Sequence, residues 1–257
     1  MSSFRILQFN MQFGQIWDDK YPDFAPVRLE RTVEEIRRHS ADLILLQEVE
    51  QTPPEGIQLQ PPPNDTRLCA ELPGYDSWFA YPKADPRELP YGVGLAIFSR
   101  TPLRAKTRLD LPSPGIEFEF FGKKTTPTDR VMIGADTTLF GHDLRVFNTH
   151  LLAFFMLGAS ATAHPFQRNL VAEQLAASPG PTILAGDFNV NRHEGLVAHF
   201  AAQGFQTVQQ TEPTWRRQPF VLDHIFHNAA LRCIAQRVIV TSASDHHALV
   251  ADFEFVG

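Results

Sequence analysis

The chain has 257 residues, 43% of them apolar and 20% charged, and a formal net charge of −6. That balance excludes an intrinsically disordered chain and offers no broad basic footprint for tight non-specific binding of nucleic acid. Its two cysteines, Cys69 and Cys233, form no C-x-x-C pair, which argues against a disulfide framework or a cysteine zinc site and for a reducing compartment.

The segment Met1-Ser2-Ser3-Phe4-Arg5 lacks the basic-then-apolar order of a secretory leader. The longest apolar stretch, Leu151 to Ala163, is too short to span a bilayer. This length permits two small domains or one large core, but no polar linker and no solenoid-period repeat divides the sequence. The expectation is a cytoplasmic monomer folded as one domain over residues 1–257.

In chain order, a strand is predicted at Phe4–Phe9, followed by a helix over Pro26–His39 with Leu29, Val33 and Ile36 on one face. A strand at Leu43–Leu46 leads into a proline-rich loop, Gln51–Asn64, and the next strand is Val93–Phe98. Leu111–Thr128 reads as a loop, and strands follow at Arg130–Ala135 and Leu144–Asn148. After a loop at Ala153–His164, a helix is predicted over Pro165–Ala177 with Phe166, Leu170 and Leu175 aligned. A strand at Thr182–Ala185, a helix at Glu194–Gln203, and strands at Val221–Phe226 and Ala248–Phe255 complete the chain. Prolines near the starts of the first two helices suit first-turn positions. Many neighbouring strands have no helix between them, which disfavours a pure βαβ repeat and favours two packed sheets with helices outside.

Polar residues fall at the ends of these apolar strands. The first ends at Asn10, the second at Gln47-Glu48, and Leu144–Phe147 ends at Asn148-Thr149-His150. Thr182–Ala185 runs into Gly186-Asp187-Phe188-Asn189, and Ser244-Asp245-His246 precedes the final strand. Taken singly, Asn10 reads as a turn former, Glu48 as a solvated strand end, and Asp245-His246 as a capping pair. Asp223 lies inside an apolar run, where a carboxylate needs a partner. Together the groups converge on one rim, because strand ends in layered α/β folds gather where ligands bind.

The ordered set Asn10, Gln47-Glu48, Asn148-Thr149-His150, Gly186-Asp187-Phe188-Asn189, Asp223 and Ser244-Asp245-His246 resembles the endonuclease/exonuclease/phosphatase superfamily. That group includes apurinic endonucleases of the exonuclease III type, pancreatic deoxyribonuclease, neutral sphingomyelinases, inositol polyphosphate 5-phosphatases and tyrosyl-DNA phosphodiesterases. The match runs from residue 4 to residue 255. The resemblance implies an α/β fold, a four-layered sandwich of two packed, mostly antiparallel sheets flanked by helices, with the site at one edge of the sheets.

It also implies a divalent-metal-dependent hydrolase in which an activated water attacks a phosphodiester in line. Carboxylates and amides without cysteine suit a hard cation, Mg²⁺ or Mn²⁺. By resemblance, Glu48 is the principal metal ligand, Asn10 helps hold the metal or its waters, and Asp245 lies near it. Asp187 orients or deprotonates the water, Asn189 bonds a phosphate oxygen, and His246 stabilises the transition state. His150 takes phosphate binding or leaving-group protonation. Physically, a buried carboxylate such as Asp223 beside an imidazole favours the imidazolium and fixes its orientation. His224 and His247 read as packing residues, Arg192 as a solvated loop cation, Asn191 as within reach of substrate, and Arg130 as structural unless it faces the cleft. Several relatives carry asparagine where Leu95 stands, which weakens transfer of phosphate contacts to that strand.

The substrate stays open between nucleic acid, including its end-processing, and a phospholipid or small-molecule phosphodiester. Leu151–Ala163 and Ile116-Glu117-Phe118-Glu119-Phe120-Phe121 are apolar segments suited to stacking on bases, to a membrane surface, or to a satellite core beneath loops. Pro213-Thr214-Trp215-Arg216-Arg217 offers a basic-aromatic patch. A non-catalytic module on the same fold would show a broken core set, and this set is intact. A calcineurin-like metallophosphatase needs an Asp-x-His near the start and a Gly-Asn-His-Asp/Glu motif, and neither occurs.

Overall fold

The computed structural model describes residues 3–120, 122–209 and 211–256. The first half of the chain runs β1 (Ser3–Asn10), α1 (Leu29–Arg38), β2 (Leu43–Gln47), β3 (Glu50–Gln51), α2 (Pro63–Glu71), β4 (Asp76–Ala80), β5 (Gly92–Val93), β6 (Leu95–Ser99) and β7 (Arg104–Leu111). A short hairpin, β8 (Phe118–Phe120) and β9 (Lys123–Thr125), precedes β10 (Arg130–Leu139) and β11 (His142–His150). Then come α3 (Phe166–Ala176), β12 (Thr182–Asp187), α4 (His193–Ala201), β13 (Phe205–Thr207), β14 (Asp223–Asn228), β15 (Leu231–Ile239) and β16 (Ala248–Phe255).

Period-two side-chain alternation builds the layers. On β1, Phe4 and Ile6 enter the core between the sheets, whereas Leu7 and Phe9 face α1 and α2. On β12, Ile183 and Ala185 face the same central core, while Leu184 packs with Val171, Leu175, Leu196 and Phe200 of α3 and α4. The result is a helix–sheet–sheet–helix sandwich of two six-stranded sheets, ordered β15-β16-β1-β2-β6-β4 and β13-β14-β12-β11-β10-β7. Within each, one neighbouring pair is parallel, β1 with β2 and β11 with β12, and the other pairs are antiparallel.

The strands expected from sequence are the interior strands of these sheets. Those not expected, β4, β7, β13 and β15, are the edges. An edge strand exposes one face and one row of backbone groups and is kept polar, as in Arg104–Leu111, so the apolar signal is weak there. The single strand expected at Val93–Phe98 breaks at Gly94, whose φ is +82° and whose Cβ position lies 2.7 Å from the Phe79 ring. The proline-rich loop ends earlier than expected, because Pro63 opens α2 rather than extending the loop. Pro26 lies outside α1, and Pro165 sits at the N-cap of α3, so neither occupies a first turn. The buried face of α3 is Gln167, Val171, Ala172 and Leu175, and Phe166 points to solvent.

The loops expected at 111–128 and 153–164 carry, respectively, the β8–β9 hairpin and a short 3-10 turn at Phe154–Leu157. Phe121, at the end of the apolar Ile116 segment, lies outside the described residues. Leu151, Leu152 and Phe154 are buried, Phe154 stacks on His164, and Met156 is the exposed large side chain of that segment. Of the three uses open to Leu151–Ala163, this burial supports a satellite core for Leu151, Leu152 and Phe154. Among the described residues no helix is long and apolar enough to cross a membrane.

Candidate active site

Along each inner face the side chains change from apolar to polar at the same end of the sandwich. β1 runs Phe4, Ile6, Gln8, Asn10; β2 runs Leu43, Leu45, Gln47; β11 runs Leu144, Val146, Asn148, His150; β12 runs Ile183, Ala185, Asp187. β14 is antiparallel to β12, so its first residue, Asp223, pairs with Asp187 at that same end. Sheet register therefore gathers polar residues that are up to 215 positions apart in the chain.

A buried amide network locks this end. Gln8 Nε2 donates to Gln47 Oε1 at 2.7 Å and to Asp223 Oδ1 at 2.8 Å. Gln47 Nε2 donates to Asn148 Oδ1 at 2.7 Å, and Asn148 Nδ2 crosses between sheets to the carbonyls of Leu46 and Ala96 at 2.9 and 3.0 Å. Gln8 Oε1 is buried without a partner, and the remaining bonds of the network rigidify this end.

Above the network, the Asn10 amide nitrogen donates to Glu48 Oε1 and to Asp187 Oδ2, both at 3.0 Å. The two imidazoles flank the same Asp187 oxygen, with His150 Nε2 and His246 Nε2 each 3.6 Å away. His150 Nε2 is also 3.8 Å from Glu48 Oε1. The other Asp187 oxygen accepts the Asn189 backbone N–H at 2.9 Å, a turn made possible by a left-handed Asn189. Asn189 Nδ2 donates one hydrogen to the Leu151 carbonyl at 3.0 Å, which leaves its second N–H and its amide oxygen for other partners. Glu48 is likewise left-handed, and Gly92 makes room for it: a Cβ there would stand 2.7 Å from Glu48 Oε2.

His246 Nδ1 faces Asp223 Oδ2 at 2.8 Å, and its backbone N–H donates to Ser244 Oγ at 3.1 Å. Ser244 Oγ in turn donates to the Asn10 carbonyl at 2.8 Å. Thr214 Oγ1 accepts the backbone N–H groups of Leu222 and Asp223, which fixes the start of β14. The Asp245 carboxylate is held by two neighbours, and its charge acts on both Glu48 and His246. Its Oδ2 accepts from Trp215 Nε1 at 3.2 Å and Arg217 Nε at 3.1 Å, and it belongs to neither grouping of potential metal ligands.

The electrostatics follow from this packing. Burial, reinforced by the Asp245 charge, pushes Glu48 up to about 7. Burial and then the Asp223 charge also raise Asp187. Burial opposes charge on His246, but Asp223 and then Asp187 outweigh it and hold the ring well above its usual value, as an imidazolium. Burial, with the charges of Arg130 and His246, holds His150 well below its usual value, so this ring is neutral.

One buried and one half-buried carboxylate that resist ionisation want a positive partner, and the oxygen-rich donor set fits a hard divalent cation. Glu48, His150 and Asp187 present atoms close enough for one ion, as do Asp187, Asp223 and His246. In the second group His246 Nδ1 already hydrogen-bonds Asp223 at 2.8 Å and its Nε2 stands 3.6 Å from Asp187, so the Glu48 side is the better seat.

Gln8, Thr214, Ser244, Trp215 and Arg217 also shape the site. Ser244 stands in the Ser-Asp-His run and Thr214, Trp215 and Arg217 in the basic-aromatic patch read from sequence, whereas Gln8 was not singled out, although it is a polar residue two positions from Ile6 and Asn10 on an inward face. His224 packs behind β14 against Phe188 and Phe226, and burial keeps it neutral with a value near 3. His247 is half-buried and bonded through its backbone to Thr214.

A model of the Endonuclease/Exonuclease/phosphatase family matches residues 7–246. A UPF0294 protein of Yersinia pseudotuberculosis is 35% identical over 118 residues, 44% of this chain and 44% of that protein; the match thus spans less than half the length of this curated relative. Among solved structures, an endonuclease/exonuclease/phosphatase from Beutenbergia cavernae superposes with a TM-score of 0.75 at 22% identity, covering 100% of this chain and 72% of that one. A mannosyl-6-phosphatase from Bacteroides thetaiotaomicron gives a TM-score of 0.69 at 17% identity, covering 98% and 100%.

Proposed function

This chain belongs to the Endonuclease/Exonuclease/phosphatase family, and we propose that it is a divalent-metal-dependent hydrolase of phosphodiesters, with nucleic acid the favoured substrate class. The observation that carries this reading is the convergence of Asn10, His150 and His246 on one oxygen of Asp187, with Glu48 alongside. A Mg²⁺ or Mn²⁺ ion held by Glu48, with Asn10 and Asp187 beside it, would neutralise charge on the phosphate and supply Lewis acidity.

The chain's own residues divide the rest of the work. Asp187 is aligned through both oxygens, by Asn10 and by the Asn189 backbone, and its raised proton affinity suits it to accept a proton from the attacking water. The His246 imidazolium, fixed by Asp223, hydrogen-bonds a phosphate oxygen and stabilises the charge that develops there. The free N–H of Asn189 takes a second oxygen. A neutral His150 is a hydrogen-bond donor rather than a proton donor, so of the two roles its position allows, phosphate binding is the better supported.

Nucleic acid is favoured by the rings beside His246. Phe155 and Phe220 pack on Trp215, at 5.8 and 6.2 Å between centroids, and Trp215 lies 6.4 Å from the His246 ring. Arg216 and Arg217 both stand over Trp17, at 5.4 and 5.5 Å. Half-buried rings next to arginines suit a single strand with unstacked bases. The lipid alternative loses its main support with the inward packing of Leu151, Leu152 and Phe154.

The test is Mg²⁺-dependent nicking of supercoiled plasmid together with hydrolysis of bis(p-nitrophenyl) phosphate, with and without chelator and with His246→Ala in parallel. Chelator-sensitive activity on both is expected. Hydrolysis of the small diester alone would remove nucleic acid from the reading, and inactivity on both with Mg²⁺ and Mn²⁺ would overturn it.

A further inference from the structure

We propose that Arg130 positions the substrate phosphate, its guanidinium fork receiving two non-bridging oxygens on the side of the site lined by Glu48 and His150. This rests on the phosphoesterase reading above and adds a residue that the ordered set of strand-end groups does not contain.

Arg130 is the first residue of β10, opposite Leu111, and its chain neighbour Val131 pairs directly with His150. Its backbone therefore stands at the site end of the sheet. The side chain is only partly exposed, and its Nε is buried with no hydrogen-bond partner. Among the described residues the guanidinium has no ion-pair partner either. In the same sheet Arg104 pairs with Asp143 at 3.0 Å, Arg108 with Asp110 at 2.6 Å and Arg145 with Asp136 at 2.9 Å. The nearest acid in sequence, Asp129, forms no ion pair with Arg130 and accepts the Ser113 backbone N–H at 3.0 Å.

A partly buried guanidinium without an anion is costly in a chain with 29 acidic residues against 23 basic ones. Its partner is then an anion that comes and goes. The register that pairs Val131 with His150 sets the Arg130 backbone at the site end, and its charge acts on Glu48 and His150. Arg216 also has a partnerless Nε, but its other nitrogens reach the Thr241 carbonyl and Asp19. Arg168, the remaining case, lies on α3, where its charge is felt at His199. Arg130 is thus the partnerless guanidinium at the site. His246 is the site's other fixed cation and lies against Asp223 and Asp187. A phosphate seated between Arg130 and His246 would be held from two sides, and the planar fork of arginine matches two phosphate oxygens at once.

The experiment compares wild type, Arg130→Gln and Arg130→Lys in Mg²⁺. It reads KM and kcat on bis(p-nitrophenyl) phosphate and, independently, the binding of inorganic phosphate by calorimetry. Arg130→Gln is expected to raise KM and to weaken phosphate binding in parallel, each about ten- to a hundredfold, the loss of a charge-assisted bond pair. The melting temperature and the Mg²⁺ concentration for half-activation should stay near wild type. Arg130→Lys keeps the charge without the fork and should recover part of the loss. It also keeps the question answerable if the glutamine variant does not fold. A merely structural role would lower the melting temperature and kcat together and leave phosphate binding per folded molecule unchanged. That result, or phosphate binding equal in all three proteins or absent from wild type, overturns the proposal. If no ester is hydrolysed by wild type but phosphate binds and Arg130→Gln abolishes it, the phosphoesterase reading fails and the phosphate site stands.

Discussion

Asp187 Oδ2 is the atom on which the site turns, with one amide and two imidazole nitrogens around it at 3.0 to 3.6 Å. Asp187→Asn removes the proton acceptor and His246→Ala the charge stabiliser, so each should lower kcat by about 10²- to 10⁴-fold in single-turnover or steady-state assays. Wild-type-like rates for both would sink these roles. Asp223→Asn tests the pair behind them. Asp223 stabilises the charged form of His246, so its loss lowers the pH at which that ring gives up its proton. The alkaline limb of the kcat/KM profile should then move to lower pH, and an unmoved limb would mean that the imidazolium is not required. Asn10, Glu48, His150, Asp187, Asp223 and His246 were legible in the sequence because polar groups at the ends of apolar strands are conspicuous. The bracing roles of Thr214 and Ser244 were not, because a single hydroxyl in a loop has no readable partner until the chain end it braces is in place.

At the scale of elements, interior strands announce themselves and edge strands do not. β1, β2, β6, β10, β11, β12, β14 and β16 are buried on both faces and read as apolar runs, whereas β7 keeps most of its side chains in solvent. The two parallel pairs matter most for the site, since they aim Asn10 and Gln47, and His150 and Asp187, at the same end. Their closeness depends on Gly186, where a Cβ would lie 2.1 Å from the Thr149 carbonyl oxygen. Gly186→Ala should therefore force β11 and β12 apart, costing about 2–3 kcal/mol by overpacking and lowering activity through the misplacement of Asp187. Chemical denaturation and kcat measured on one preparation check this, and a midpoint within error of wild type would show that the ladder absorbs the methyl.

For the whole molecule, the site is a store of unfavourable charge that a bound cation would relieve. Glu48, at about 7, and Asp187, also raised, bind protons more tightly in the folded chain than in the unfolded one. Folded protein then holds extra protons over the range between the ordinary carboxylate value and about 7, so the stability of the metal-free chain falls as pH rises through that range. A divalent cation prefers the ionised form, so the Mg²⁺-induced rise in melting temperature should grow from pH 5.5 to pH 8. Metal removal by chelator should lower the melting temperature more at pH 8 than at pH 5.5. The same scan on Glu48→Gln should flatten both trends, and an equal metal effect at both pH values would remove Glu48 from the metal site.

The sequence by itself determined the layered α/β class, the interior strands and the polar groups at their ends, since period-two burial and the cost of burying a bare carboxylate are local and chemical constraints. Only the tertiary structure decided which of those groups meet. Register brings Asp223 against Asp187 across an antiparallel pair, an aromatic and an arginine hold one oxygen of Asp245, and folding back of Phe154 turns part of an apolar loop into core. It also left Arg130 without a partner at the rim. Such facts depend on distances between segments far apart in the chain, and no local pattern carries them.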